Sequence, residues 1–164
     1  MFDKTLLSLT KPVISRLAII AIKVGLSANS ASIIGFILGV TAACLVSLGY
    51  FFFALIFFIL NRIFDGIDGA IAREQNPTHL GAFLDIIFDF IVYSSIPFAF
   101  AVYEHEYSFV ACFLIFSFIG TGSTFLAYGI IYTQISNKNG KLIGEKGFYY
   151  HVGLIGGSET IFFI

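Results

Sequence analysis

Long apolar runs broken by short polar turns dominate the pattern of this chain. No residue from Val24 to Leu60 is charged, and at about 20 residues per span that stretch crosses a bilayer twice, turning near Gly49 and Tyr50. Further apolar runs cover residues 80–103, 107–134 and 147–164, so five membrane spans are expected in all. Ahead of them, residues 3–25 set Lys4, Ser8, Lys11 and Ser15 at helical spacing among Leu6, Leu7, Leu9, Val13, Ile14, Leu17 and Ile20. That pattern predicts an amphipathic helix lying in the membrane interface, with a flexible basic leader as the alternative. Pro12 is expected to bend it or to start a second helix. The small polar run 26–32 reads as a loop whose Asn29 or Ser30 caps the first span, and Pro77 fits a helix stop between the second and third. In the fourth run, Gly120, Gly122, Ser123 and Thr124 are small enough to let helices approach closely.

Composition agrees with this pattern. Of 164 residues 58% are hydrophobic, 21 are Phe and only three are Pro, which is too apolar for a water-soluble domain of ordinary make-up. The fold class is therefore all-α, a polytopic transmembrane helical bundle with an N-terminal interfacial amphipathic helix. One domain is expected over 1–164, with 1–25 as the interfacial helix and 30–164 as the transmembrane helices. No repeat or low-complexity linker divides it. Cys44 and Cys112 lie inside predicted spans without disulfide or C-x-x-C spacing and read as small core residues.

Charge gives the orientation. Lys4, Lys11, Arg16 and Lys23 precede the first span, Arg73 ends the second, and Lys138, Lys141 and Lys146 separate the fourth from the fifth. With the N-terminus inside, all of these are cytoplasmic, whereas the connection Glu104-His105-Glu106, which carries no Lys or Arg, is outside. Arg16 and Lys23 interrupt the leading apolar run, so no cleavable signal peptide is expected. The balanced net charge of -1 gives no reason to expect a nucleic-acid partner.

Against this background four aspartates stand out. Each would cost roughly 2.5 to 3.5 kcal/mol at the centre of a membrane helix, and four unpaired ones on the order of 10 kcal/mol. Asp65, Asp68, Gly69 and Ala72 recur at helical spacing, which sets two carboxylates and two minimal side chains on one face. Gly81, Asp85 and Asp89 do the same on the next helix, and the turn between them makes the two helices antiparallel. Four carboxylates can then converge at the cytoplasmic end of a two-helix wall. Oxygen-only ligands favour hard ions, Mg2+ or Mn2+, and four acids suit two of them, an arrangement that serves displacement at phosphorus. Gly69 and Ala72 leave room for a nucleotide or pyrophosphate, and Arg73 can hold a phosphate. If the acids were only caps and ion-pair partners, they would need more than the two nearby bases, Arg62 and Arg73. Of these, Arg62 is expected to be an ion-pair partner, while His79 is left as a surface residue.

The string D-x-x-D-G-x-x-A-R-x7-G-x-x-x-D-x-x-x-D, complete in residues 65–89, resembles the signature of the CDP-alcohol phosphatidyltransferases (class I). Its eight fixed residues at fixed spacing make it highly specific. The resemblance implies a membrane enzyme of phospholipid synthesis that moves the phosphatidyl group of CDP-diacylglycerol, or a related CDP-linked donor, to an alcohol and releases CMP. It implies metal ligation by Asp65, Asp68 and Asp85, with Asp89 completing the two-ion site and acting as general base. Gly69, Ala72, Arg73 and Gly81 would line the CDP pocket, and Asn29 resembles an asparagine of the donor site. The family further implies a homodimer of six-helix subunits, and the expected location is an inner membrane of bacterial type. With five spans visible, the sixth is expected beyond Ile164, the chain being C-terminally truncated. The rival expectation is a divalent-cation channel or transporter, for which the acids are too concentrated at one end, Glu159 being the deep exception.

Overall fold

A computed structural model describes the backbone of residues 2–138 and the side chains of residues 11–131. Five α-helices follow one another: α1 (Phe2–Lys23), α2 (Ala28–Ser47), α3 (Phe51–Gln75), α4 (His79–Tyr103) and α5 (Ser108–Lys138). A single 3-10 turn, His105–Tyr107, precedes α5. The predicted fifth span, together with Lys141, Lys146 and Glu159, lies outside the described residues.

Two glycines make the tight turns. Gly25 ends α1 at φ +81° and Gly49 ends α2 at φ +80°, a region that other residues enter at a cost. In both, the glycine N–H reaches back three residues and the next N–H reaches back five, Leu26 to the Ala21 carbonyl at 3.0 Å and Tyr50 to Leu45 at 2.9 Å. The following helices are capped from outside. Ser27 Oγ accepts the Ser30 amide at 3.1 Å, and Thr78 Oγ1 accepts that of Gly81 at 3.0 Å. The cap of α2 is therefore Ser27, not Asn29 or Ser30. Those two fall in the first turn, because the serine nearest the Gly25 turn already satisfies a free amide.

The packing follows small residues. Gly35 of α2 lies against Phe64 of α3, Ala42 and Ala43 meet Ala54, and Ala31 meets Ile67, Ala70 and Ile71, so α2 and α3 are antiparallel. On its other side α2 meets α4 in the same direction: Phe36 stacks on Phe88 with ring centroids 4.3 Å apart, Gly39 touches Val92, and Gly49 touches Tyr103. Close backbone approach at glycine fixes this geometry, since packed interiors leave no slack for a methyl group. α5 leans on α4, where Gly122 accepts the edge of Phe90.

Among the described residues, three helices are long and apolar enough to cross a membrane: Ala28–Ser47, His79–Tyr103 and His105–Ile131. The protein is an integral membrane protein. The second expected span, α3, has the length but carries Arg62, Asp65, Asp68, Arg73 and Glu74 in its later half. Because α2 and α4 run in the same direction, α3 is the return path between them. Its polar residues are tolerated by facing neighbours, with Asn61 and Asp68 buried.

Three expectations change. Pro12 does not start a second helix: it sits within α1, whose Ile14 and Ala18 pack on α3 beside Gly66 and Ile67. Cys44 and Cys112 are exposed, on faces turned away from the bundle, and are not core residues. Among the described residues, only Gly122 of these small residues of α5 makes a close contact with another helix. Gly120 has no described neighbour within 4 Å, and Ser123 and Thr124 donate to the helix's own carbonyls at 2.6 and 2.7 Å.

Candidate functional site

One end of the α2–α3–α4 layer opens into a narrow cleft whose free space is water-sized, about 10 Å3. Its lining joins three helices: Ser32, Gly35 and Phe36 from α2, Asn61, Arg62, Asp65 and Asp68 from α3, and Asp85, Phe88 and Asp89 from α4. Helical periodicity selects those faces. Positions 61, 62, 65 and 68 repeat every three or four residues on α3, and 85, 88 and 89 on α4.

Three of the four aspartates come together. Asp65, Asp68 and Asp85 each offer a carboxylate oxygen within 4.8 Å of the other two. Around an octahedral Mg2+ neighbouring oxygens stand about 3.0 Å apart and opposite ones about 4.2 Å, so the three carboxylates draw closer together when they share one ion. Hard carboxylate donors, with Asp85 exposed and Asp68 buried at 5%, fit a site that holds a divalent cation from inside and admits it from outside. His79, exposed, stays apart from the cluster.

Asp89 is held differently. Arg62 donates from Nη2 to Asp89 Oδ1 at 2.9 Å, while its Nη1 lies 3.6 Å from Asp65 Oδ2. The same guanidinium donates from Nη1 to Tyr93 Oη at 2.7 Å and from Nε to Asn61 Oδ1 at 2.8 Å. Asn61 in turn donates to the Gly35 carbonyl at 2.8 Å, which anchors the assembly to α2. Arg62 is thus the expected ion-pair partner, and its main partner is the fourth aspartate.

The residues expected around a CDP group occupy the same end of the layer. A Cβ on Gly81 would lie 3.1 Å from Asn29 Oδ1, so the start of α2 and the start of α4 touch there. A Cβ on Gly69 would lie 3.4 Å from Arg73 Nη1, which places the exposed Arg73 guanidinium back over the glycine. Ala72 is half-buried on the same helix, one residue before Arg73. Asn61, Tyr93, Ser32, Phe36 and Phe88 were not singled out by the sequence. For Asn61 a signal existed: it is the first polar residue after the apolar run 51–60, one position before Arg62. For Tyr93 it was weaker, an aromatic hydroxyl one helical turn beyond Asp89.

Comparison with known proteins agrees with the geometry. The chain is 39% identical over 164 residues to the inner membrane protein YnjF of Escherichia coli (strain K12), covering 98% of this chain and 78% of that one. No solved structure matches it. The family model of the CDP-alcohol phosphatidyltransferases matches residues 25–154, a stretch that contains α2, α3, α4 and every aspartate of the cleft. The chain belongs to the CDP-alcohol phosphatidyltransferase family.

Proposed function

We propose that the protein transfers the phosphatidyl group of CDP-diacylglycerol, or of a related CDP-linked donor, to an alcohol and releases CMP. The observation that carries this reading is the convergence of Asp65, Asp68 and Asp85 within 4.8 Å at the mouth of a cleft in a membrane bundle of this family. These three carboxylates would hold Mg2+ or Mn2+, with Asp89 completing a two-ion site. When bound, the ions would offset the negative charge of the donor pyrophosphate and of the departing CMP.

The chain's own groups supply the rest. Gly69 and Gly81, lacking side chains, let Arg73 and Asn29 lie close against the backbone of α3 and α4 on the side where the nucleotide would bind. Ala72, Arg73 and Asn29 border the same space, and Arg73 would bind a phosphate oxygen through charge-assisted hydrogen bonds. Asp89 Oδ2 would take the proton of the acceptor hydroxyl as its oxygen attacks the donor's phosphatidyl phosphorus. The bond from that phosphorus to the CMP oxygen then breaks, and CMP leaves with the electron pair. The acyl chains of the donor stay in the leaflet beside the apolar outer faces of α2 and α4. The charge pattern supports an N-terminus and a cleft that face the cytoplasm, and membership of the family supports a homodimer.

The test uses purified protein with CDP-diacylglycerol, Mn2+ and a panel of alcohols that includes glycerol 3-phosphate, inositol, inositol phosphate and serine. Product lipids are identified by mass. One acceptor is expected to give a new phosphodiester lipid in step with CMP, and Asp89→Asn is expected to keep donor binding while losing turnover. Turnover at the wild-type rate in Asp89→Asn would remove the base assigned here.

A further inference from the structure

Arg62 is fixed more completely than neutralising an acid requires. Its guanidinium spends Nε on Asn61, Nη1 on Tyr93 and Nη2 on Asp89, and its carbon lies 4.9 Å from the centre of the Tyr93 ring and 5.9 Å from that of Phe58. Each of those contacts is itself anchored. Asn61, 3% exposed, is tied to the Gly35 carbonyl of α2, and Tyr93 packs against Phe118 of α5. A planar, five-donor group held on several sides has one orientation, unlike a lysine ammonium on a free stem. Through it, one oxygen of Asp89 is bonded to a point fixed by all four helices α2 to α5.

We propose that Arg62 is a positioning residue: clamped by Asn61, Tyr93 and Phe58, it takes Oδ1 of Asp89 and thereby aims the other oxygen at the acceptor hydroxyl. This rests on the reading of Asp89 as the group that accepts the hydroxyl proton. Rotation of the Asp89 carboxylate is what the fork prevents, and a side chain off the line of attack by about 1 Å can cost on the order of 100-fold in rate. The three-carboxylate cluster does not depend on the fork. Arg62 meets it only at 3.6 Å, through Asp65.

Two variants of the full chain test this, Arg62→Lys, which keeps the charge and loses the fork, and Tyr93→Phe, which removes one bond of the clamp. For each, kcat and donor KM are measured from CMP release, and Mn2+ affinity by electron spin resonance. Arg62→Lys is expected to lower kcat about 10- to 100-fold, and Tyr93→Phe about 2- to 10-fold. In both, donor KM should stay within about twofold, and the Kd of the Mn2+ held by Asp65, Asp68 and Asp85 within about threefold, since a loss confined to kcat marks an interaction used only in the transition state. Loss of Mn2+ affinity or donor binding with kcat preserved would make Arg62 merely structural and overturn the proposal. Wild-type kcat in both variants would overturn it too, leaving the transferase reading intact. If Arg62→Lys does not fold, Tyr93→Phe decides alone. A wild-type protein that releases no CMP with any acceptor would bring down the transferase reading, and this assignment with it.

Discussion

Replacing Gly39 by alanine attacks the spacing of the site without touching any of its acids. The new methyl carbon would stand 2.6 and 2.9 Å from the two γ carbons of Val92 and 3.1 Å from Asn61 Nδ2. Carbon atoms rest about 3.5 to 4.0 Å apart, so α2 and α4 must separate by about 1 Å. Val92 cannot rotate away, because it is 1% exposed and its branched side chain is stiff about χ1. Overpacking of this kind costs about 1 to 3 kcal/mol, and a further 1 to 3 kcal/mol would follow if Asn61 lost its 2.8 Å bond to Gly35. The same displacement carries Asp85 on α4 away from Asp65 and Asp68 on α3, so Mn2+ affinity should fall together with stability.

The assay is thermal unfolding and Mn2+ binding in detergent for Gly39→Ala, Val92→Ala and the double variant. If the clash is with Val92, truncating it makes room, and the double variant should be more stable than the sum of the singles by about 0.5 to 3 kcal/mol. An unchanged melting temperature in Gly39→Ala, or strict additivity in the double variant, would refute the reasoning.

Other perturbations separate the parts of the site. Asp68→Asn, in the most buried member of the cluster, should weaken Mn2+ binding at least tenfold and abolish CMP release, as should chelation of the wild type, with recovery on adding Mg2+ or Mn2+ only in the latter case. Gly81→Ala places a methyl 3.1 Å from both Asn29 Oδ1 and Thr78 Oγ1, and steady-state kinetics should show donor KM raised several-fold with a smaller change in kcat. Thr78→Ala removes the cap of α4 and should lower stability by about 1 kcal/mol in a denaturation series.

Much of the site was legible in the sequence because helical spacing alone puts Asp65 with Asp68, and Asp85 with Asp89, on common faces. The turn between α3 and α4 makes the two helices antiparallel and so brings both pairs to the same end of the layer. What spacing cannot supply is the relative rotation and separation of packed helices. Those depend on contacts such as Gly39 on Val92 and Gly35 on Phe64, between residues distant in the chain. For that reason the sequence treated the four aspartates as one convergent set, while the structure gathers three and gives the fourth to Arg62, 27 positions away. It is also why Asn61 and Tyr93 escaped notice, as their importance lies in what they hold. The exposed cysteines have a related cause. In a membrane bundle, apolar residues on the outer face look the same in sequence as those of the core, since lipid accepts both.

The central claim is that the carboxylate cluster serves phosphatidyl transfer and not ion passage. Reconstituting the protein in liposomes that contain CDP-diacylglycerol and an acceptor alcohol, and following CMP release and Mn2+ flux in the same vesicles, tests it most directly. CMP release that requires the divalent ion, with a new phosphodiester lipid formed in equal amount and no protein-dependent flux, is the predicted result. Mn2+ flux without CMP release would contradict the account.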